Sequence, residues 1–143
     1  MSQAHQPPAA FLPLTLAAIA DTPAGPAALA GLADRAWAAE RAAEDSWQAL
    51  LGDCACARRG GLADQLRLLS QAAGEYAGGE WWSGRGASHR NRVTELERWV
   101  AEALYEGDGE EFAEACARYD AALAHAMATA RSRAADRSSA GAP

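Results

Sequence analysis

Between residues 81 and 92 the chain reads Trp-Trp-Ser-Gly-Arg-Gly-Ala-Ser-His-Arg-Asn-Arg, and nowhere else do its residue types stop looking interchangeable. Two adjacent indoles offer stacking surfaces. Ser83-Gly84-Arg85-Gly86 can turn successive backbone N–H groups outward, because glycine reaches the tight conformations that an anion-binding nest requires. Ser88 stands where it can cap a following helix. The N-terminus of that helix adds partial positive charge, and Arg90 and Arg92 add full charges. Trp81, Trp82, Arg85, His89, Arg90 and Arg92 are therefore the candidate binding residues. The chemistry they suit is a seat for phosphate, for nucleic-acid backbone or for a partner's carboxylates. The same residues also have an architectural reading. One indole plugs the end of a core, the glycines merely turn the chain, and Arg85 pairs with the acidic stretch that follows.

Other constellations are thinner. Cys54-x-Cys56 can supply two thiolates, with His89 or Cys116 as further ligands, but the one-residue spacing is not that of common structural zinc sites. A loop thiol beside Arg58 and Arg59 is an equally simple reading of the pair. Glu110-Glu111-x-x-Glu114 matches half of the magnesium-holding motif of the all-α nucleotide pyrophosphohydrolases, yet the second half, Glu-x-x-Asp, occurs nowhere. No Glu-x-x-His of the ferritin-like kind is present, and there is no P-loop, Gly-x-Ser-x-Gly or dinucleotide fingerprint. His125 falls near the apolar stripe of the last helix and reads as a packed or boundary histidine. No catalytic residue, metal site or cofactor is assigned.

These residues are carried on a chain of 143 residues, which sets one domain with a modest core. Alanine supplies 39 of them, and alanine combines the best helix propensity with little area to bury. Stability then leans on the leucines and on five Trp, three Tyr and two Phe. All thirteen basic residues are arginine, as GC-rich coding in a high-GC bacterium would produce, so arginine identity at any one position says little by itself. The net charge of −6 is uneven: −4 over residues 1–80, +3 over 81–94, −7 over 95–120 and +2 over 121–143. An acidic chain is a poor general binder of nucleic acid, though a local basic patch can contact phosphate or an acidic partner.

Three cysteines, an odd number with two of them one residue apart, make no disulfide scaffold and fit a reducing cytoplasm. The apolar run Ala9–Ala20 lacks a basic leader and is broken by Pro13, unlike a signal peptide. No run reaches membrane-spanning length.

Apolar spacing of three and four predicts helices over about 26–51, 62–76, 88–106 and 109–131, with a short one within 11–20. Gly52, Gly78-Gly79 and Gly107 stop them, and Asp108-Gly109-Glu110-Glu111 reads as a reciprocal capping box. The expectation is an all-α bundle of four main helices plus the short N-terminal one, occupying 11–133 between disordered ends at 1–10 and 134–143. The third helix turns acidic after Arg92, which argues against its reading DNA bases. The functional expectation is a non-enzymatic interaction or regulatory protein that binds a protein partner through the Trp81–Arg92 edge. The alternative is a phosphate- or nucleic-acid-contacting accessory factor, for example of a bacterial plasmid or other mobile element. A small helical enzyme is the weakest reading.

Overall fold

The computed structural model describes residues 9–22, 27–52 and 61–140. Among them the fold is all-α, with six helices: α1 Pro13–Ala20, α2 Ala27–Leu51, α3 Leu62–Ala77, α4 Gly79–Ser83, α5 Ala87–Glu106 and α6 Gly109–Ala140. The Cys54/Cys56 pair, Arg58, Arg59 and His5 lie outside the described residues. None of the described helices is long and apolar enough to cross a membrane.

Packing follows the apolar stripes. Leu32, Ala36, Ala39 and Ala43 of α2 meet Leu62, Leu66, Leu69 and Ala73 of α3, and α3 in turn packs on α5 through Val93, Leu96 and Val100. The long α6 lies along α5 and α1, burying Phe112, Tyr119 and Leu123 completely. Phe11, Trp47 and Phe112 form an aromatic trio with ring centroids 5.9–6.3 Å apart.

Helix ends show where local rules hold and where tertiary contacts replace them. Gly107 at φ 72 closes α5, with its N–H on Leu104 and that of Asp108 on Ala103, a Schellman arrangement. The Asp108 carboxylate then accepts from the Glu111 N–H, as expected of a cap. The reciprocal half of the box does not form. With the Asp108 N–H already committed to Ala103, Glu111 instead accepts the indole N–H of Trp99 at 3.1 Å. The last helix also runs nine residues past its expected end at Arg131, into the stretch expected as tail. Ala134 and Ala135 favour continuation.

The shortest terminal helix is held in an unusual way. α1 has no side-chain cap of its own, and Pro13 at its first position brings no N–H. Its remaining donors go to two buried carboxylates from other helices. Glu40 of α2 accepts from the N–H groups of Ala10, Phe11 and Leu12, and Asp120 of α6 accepts from those of Leu14 and Thr15, at 2.8–3.3 Å. The Thr15 hydroxyl donates to the Asp120 main-chain oxygen as well. Both carboxylates are almost fully buried, at 3% and 2% exposure. Buried acids of this kind are tolerable because the positive end of a helix and aligned amides stand in for a cation.

A second polar knot ties α3, α5 and α6. The Tyr119 hydroxyl donates to the Leu66 carbonyl at 2.9 Å and sits 2.7 Å from Ser70 Oγ, which also reaches Glu97 at 2.5 Å. Cys116, buried near Glu40 and Asp120, has its thiol pushed up to about 12 by burial first and then by those carboxylates, so it stays protonated and inert.

Removing the Asp120 carboxylate orphans two buried N–H groups. Asp120→Ala is expected to cost about 2–3 kcal/mol, seen as a lower urea midpoint at unchanged slope, and Asp120→Asn, which keeps one acceptor oxygen, should lose less. Burial raises the Asp120 pKa, against the pull of the Leu14 and Thr15 N–H groups and with Glu40 adding to the rise. The folded protein thus holds this proton more tightly than the unfolded chain. Its contribution to stability is complete below the ordinary carboxylate range and declines as pH rises through the raised value. Stability curves of Asp120→Asn should lack that decline.

Candidate functional site

The Trp81–Arg92 segment folds as a tight reversal between α3 and α5. Gly78, at φ 110, ends α3 by donating to Gly74 and Glu75, and its carbonyl accepts from Trp82 to start α4. After this single short helix the Gly84 N–H bonds back to Glu80 and Trp81, the Gly86 N–H to Trp81 at 2.6 Å, and the Ala87 N–H to Gly84. These amides point into the turn, so the expected anion nest is not formed. Gly84 and Gly86 also keep negative φ. Ser88 does not cap α5 either. The capping position falls on Gly86, which puts Ser88 two residues too late and leaves it exposed within the helix.

The two indoles are seated on glycines. A Cβ built on Gly86 would come within 2.8 Å of the Trp81 ring, and one on Gly74 within 2.4 Å of the Trp82 ring. Trp81 is buried at 7% exposure, while Trp82 is half-buried and packs on the core edge. Trp81 is thus the more buried of the pair. Arg85 is exposed and, among the described residues, pairs with no carboxylate, so its expected pairing with the acidic stretch is absent.

From Trp81 a row of rings leads outward. His89 of α5 stacks on it at 5.7 Å with the planes 29° apart, and His125 of α6 lies 5.3 Å beyond His89. The Arg133 guanidinium, also from α6, sits 5.8 Å from the Trp81 ring as a cation–π contact. His89 and His125 then line an open cleft of about 280 Å³ between α5 and α6, together with Arg92, Arg118, Ala121 and Ala122. The His89 imidazole is pushed below its ordinary pKa, by burial first and then by His125. Arg118 is held by Glu114 at 3.1 Å, through an exposed pair of little strength.

Arg90 and Trp82 turn the other way. They join Arg67, Ser70, Thr94 and Glu97 around a second cleft of about 260 Å³ between α5 and α3. Burial is the chief cause that raises the Glu97 pKa, with Ser70 and Arg67 opposing it. The contiguous sequence stretch is thus divided. His89 and Arg92 face α6, Trp82 and Arg90 face α3, and Arg85 lines neither cleft.

Arg118, His125 and Arg133 were absent from the sequence-predicted set. Spacings of seven and eight place them on one face of α6, a signal visible in the sequence. What the sequence lacks is the rotation of α6 that sets this face against the first turn of α5. Cys116 lines a different groove, beside Phe11 and Asp120, so it and His89 do not share a site. Among the described residues no group of three or more His, Cys, Asp or Glu is placed to hold a metal ion.

No family model, curated protein or solved structure matches the chain. Function is accordingly read from these two clefts.

The glycine seats give two substitutions of opposite sign. Gly86→Ala must displace the Trp81 ring and is expected to cost about 1–3 kcal/mol, with a shift in the His89 imidazole resonances as its stacking partner moves. Gly31 in α2 has open space where a Cβ would stand. Gly31→Ala should therefore stabilise the protein by roughly 0.4–1 kcal/mol in the same melting experiment.

Proposed function

We propose that this protein is a non-enzymatic interaction module that binds an acidic segment of a protein partner in the cleft between α5 and α6. The observation that carries this reading is the convergence of His89, Arg92, Arg118 and His125 on one cleft, with Arg133 close by, in a chain of net charge −6. Cationic groups from two helices gathered on an otherwise negative surface create a local field that steers and orients carboxylates.

Within the edge expected from the sequence, His89 and Arg92 are the contact residues. Trp81 is the platform that holds the His89 ring and orients Arg133, and its burial removes it from direct contact. Arginine anchors bounded by a small apolar floor, here Ala121 and Ala122, suit a short extended segment bearing two or three carboxylates.

Phosphate or nucleic-acid backbone is the second reading, since the same cations accept phosphate. The net −7 over residues 95–120, on the helices that form the cleft, opposes a long polyanion and favours a short acidic peptide.

Fluorescence anisotropy with a labelled glutamate-rich peptide distinguishes these readings. Arg92→Ala and Arg118→Ala should each weaken binding about tenfold, while Arg85→Ala, which lines neither cleft, should leave it unchanged. Affinity for the peptide that is indifferent to Arg92 and Arg118 would sink the proposal. Single-stranded nucleic acid that outcompetes the peptide at physiological salt would favour the second reading.

A further inference from the structure

The α5–α6 cleft differs from a plain arginine patch in having two imidazoles side by side at its wall. The groups that face them can be named element by element. α4 contributes the uncharged Trp81 ring. α5 contributes His89 itself and Arg92. α6 contributes Arg118 with its partner Glu114, then His125, and Arg133 over Trp81. Among these described residues Glu114 is the one carboxylate, and its near oxygen is already 3.1 Å from Arg118.

A proton added to either imidazole therefore enters a neighbourhood of arginines, with the second ring 5.3 Å away. Like charges at that separation disfavour each other, and His89 also loses hydration by its partial burial. In the free protein both effects push the His89 imidazole below its ordinary pKa. A ligand carboxylate set between the rings and the arginines reverses the balance, because it supplies the opposite charge that the site lacks. Binding then draws in protons, and by linkage acid must strengthen binding.

Resting on the acidic-segment reading above, we propose that capture at this cleft is coupled to proton uptake by the His89–His125 pair, so that the partner is gripped as the medium acidifies and released as it turns alkaline. The sign follows from which state holds more protons. The complex binds more than the separated components do, so affinity falls as pH rises through the histidine range. Each proton taken up changes affinity by at most about tenfold per pH unit. Glutamate carboxylates of the probe stay ionised well below the histidine range, so the slope reports the imidazoles.

The experiment measures affinity of the full chain for the glutamate-rich peptide at pH 5.5, 6.5 and 7.5 at fixed ionic strength. The wild type should bind roughly tenfold tighter at the lowest pH than at the highest. His125→Gln, at an exposed position, should flatten the dependence in part, and His89→Gln with His125→Gln should abolish it, so that whatever binding remains is equal at all three pH values. A direct check is the imidazole titration by NMR, in which the His89 pKa should move up when the peptide is added. Binding of equal strength at all three pH values overturns the coupling and leaves the acidic-segment reading standing. A slope that survives in the double variant also overturns it, since the proton then goes elsewhere. No binding at any pH overturns both.

Discussion

Two carboxylates that, among the described residues, form no ion pair organise this fold. Glu40 and Asp120 take the five N–H groups of residues 10–15, and the sixth position is proline, which has none to offer. The arrangement works because the donors are aligned and water is excluded, so each carboxylate trades hydration for several charge-assisted bonds at once. Asp120 follows directly on Tyr119, whose hydroxyl is fixed to the Leu66 carbonyl of α3. Adjacent residues of α6 thus point about 100° apart, one into α3 and the other into α1, and the helix cannot rotate without breaking one contact or the other. With the rotation fixed, Arg118, His125 and Arg133 have only one way to face. The cationic cleft is a consequence of how α6 is pinned from behind.

The alanine content shapes what lies at either end. Small side chains along α2 let helices approach closely but fill little volume, so the large rings collect where helices terminate. Phe11, Trp47 and Phe112 close one end, and Trp81 closes the other with Gly86 beneath it. Phe112 and His125 are thirteen residues apart on α6, about 20 Å along the axis. The row of rings at the second end is continued outward by the histidines His89 and His125.

The positions of most helices and their buried faces were legible in the sequence, because stripes such as Leu62, Leu66, Leu69 and Ala73, or Val93, Leu96, Val100 and Ala103, state the period directly. So were the Gly107 stop and the burial of one tryptophan. What period cannot state is which polar residue is a partner rather than a solvated one. Glu40 and Asp120 look like surface acids until their tertiary acceptor role is seen. Gly74 looks like an indifferent mid-helix glycine until Trp82 is placed against it. The site was half visible for the same reason. His89 and Arg92 are neighbours in sequence, but their companions on α6 are joined to them only by helix rotation. The nest, the Ser88 cap and the reciprocal capping box were each sound local chemistry, displaced by main-chain bonds that the turn needed first.

The way the chain start is held has an informational side. Glu40 and Asp120 contact main-chain atoms, which every residue except proline carries alike, so the grip itself cannot tell one side chain from another. Specificity is left to the side chains that enter or pack on the core, Phe11, Leu12, Thr15 and Ile19 among them, while Leu14 stands 53% exposed between them. A stretch that looks arbitrary residue by residue is therefore recognised by its backbone trace, and its spelling is free to drift wherever an N–H remains in place.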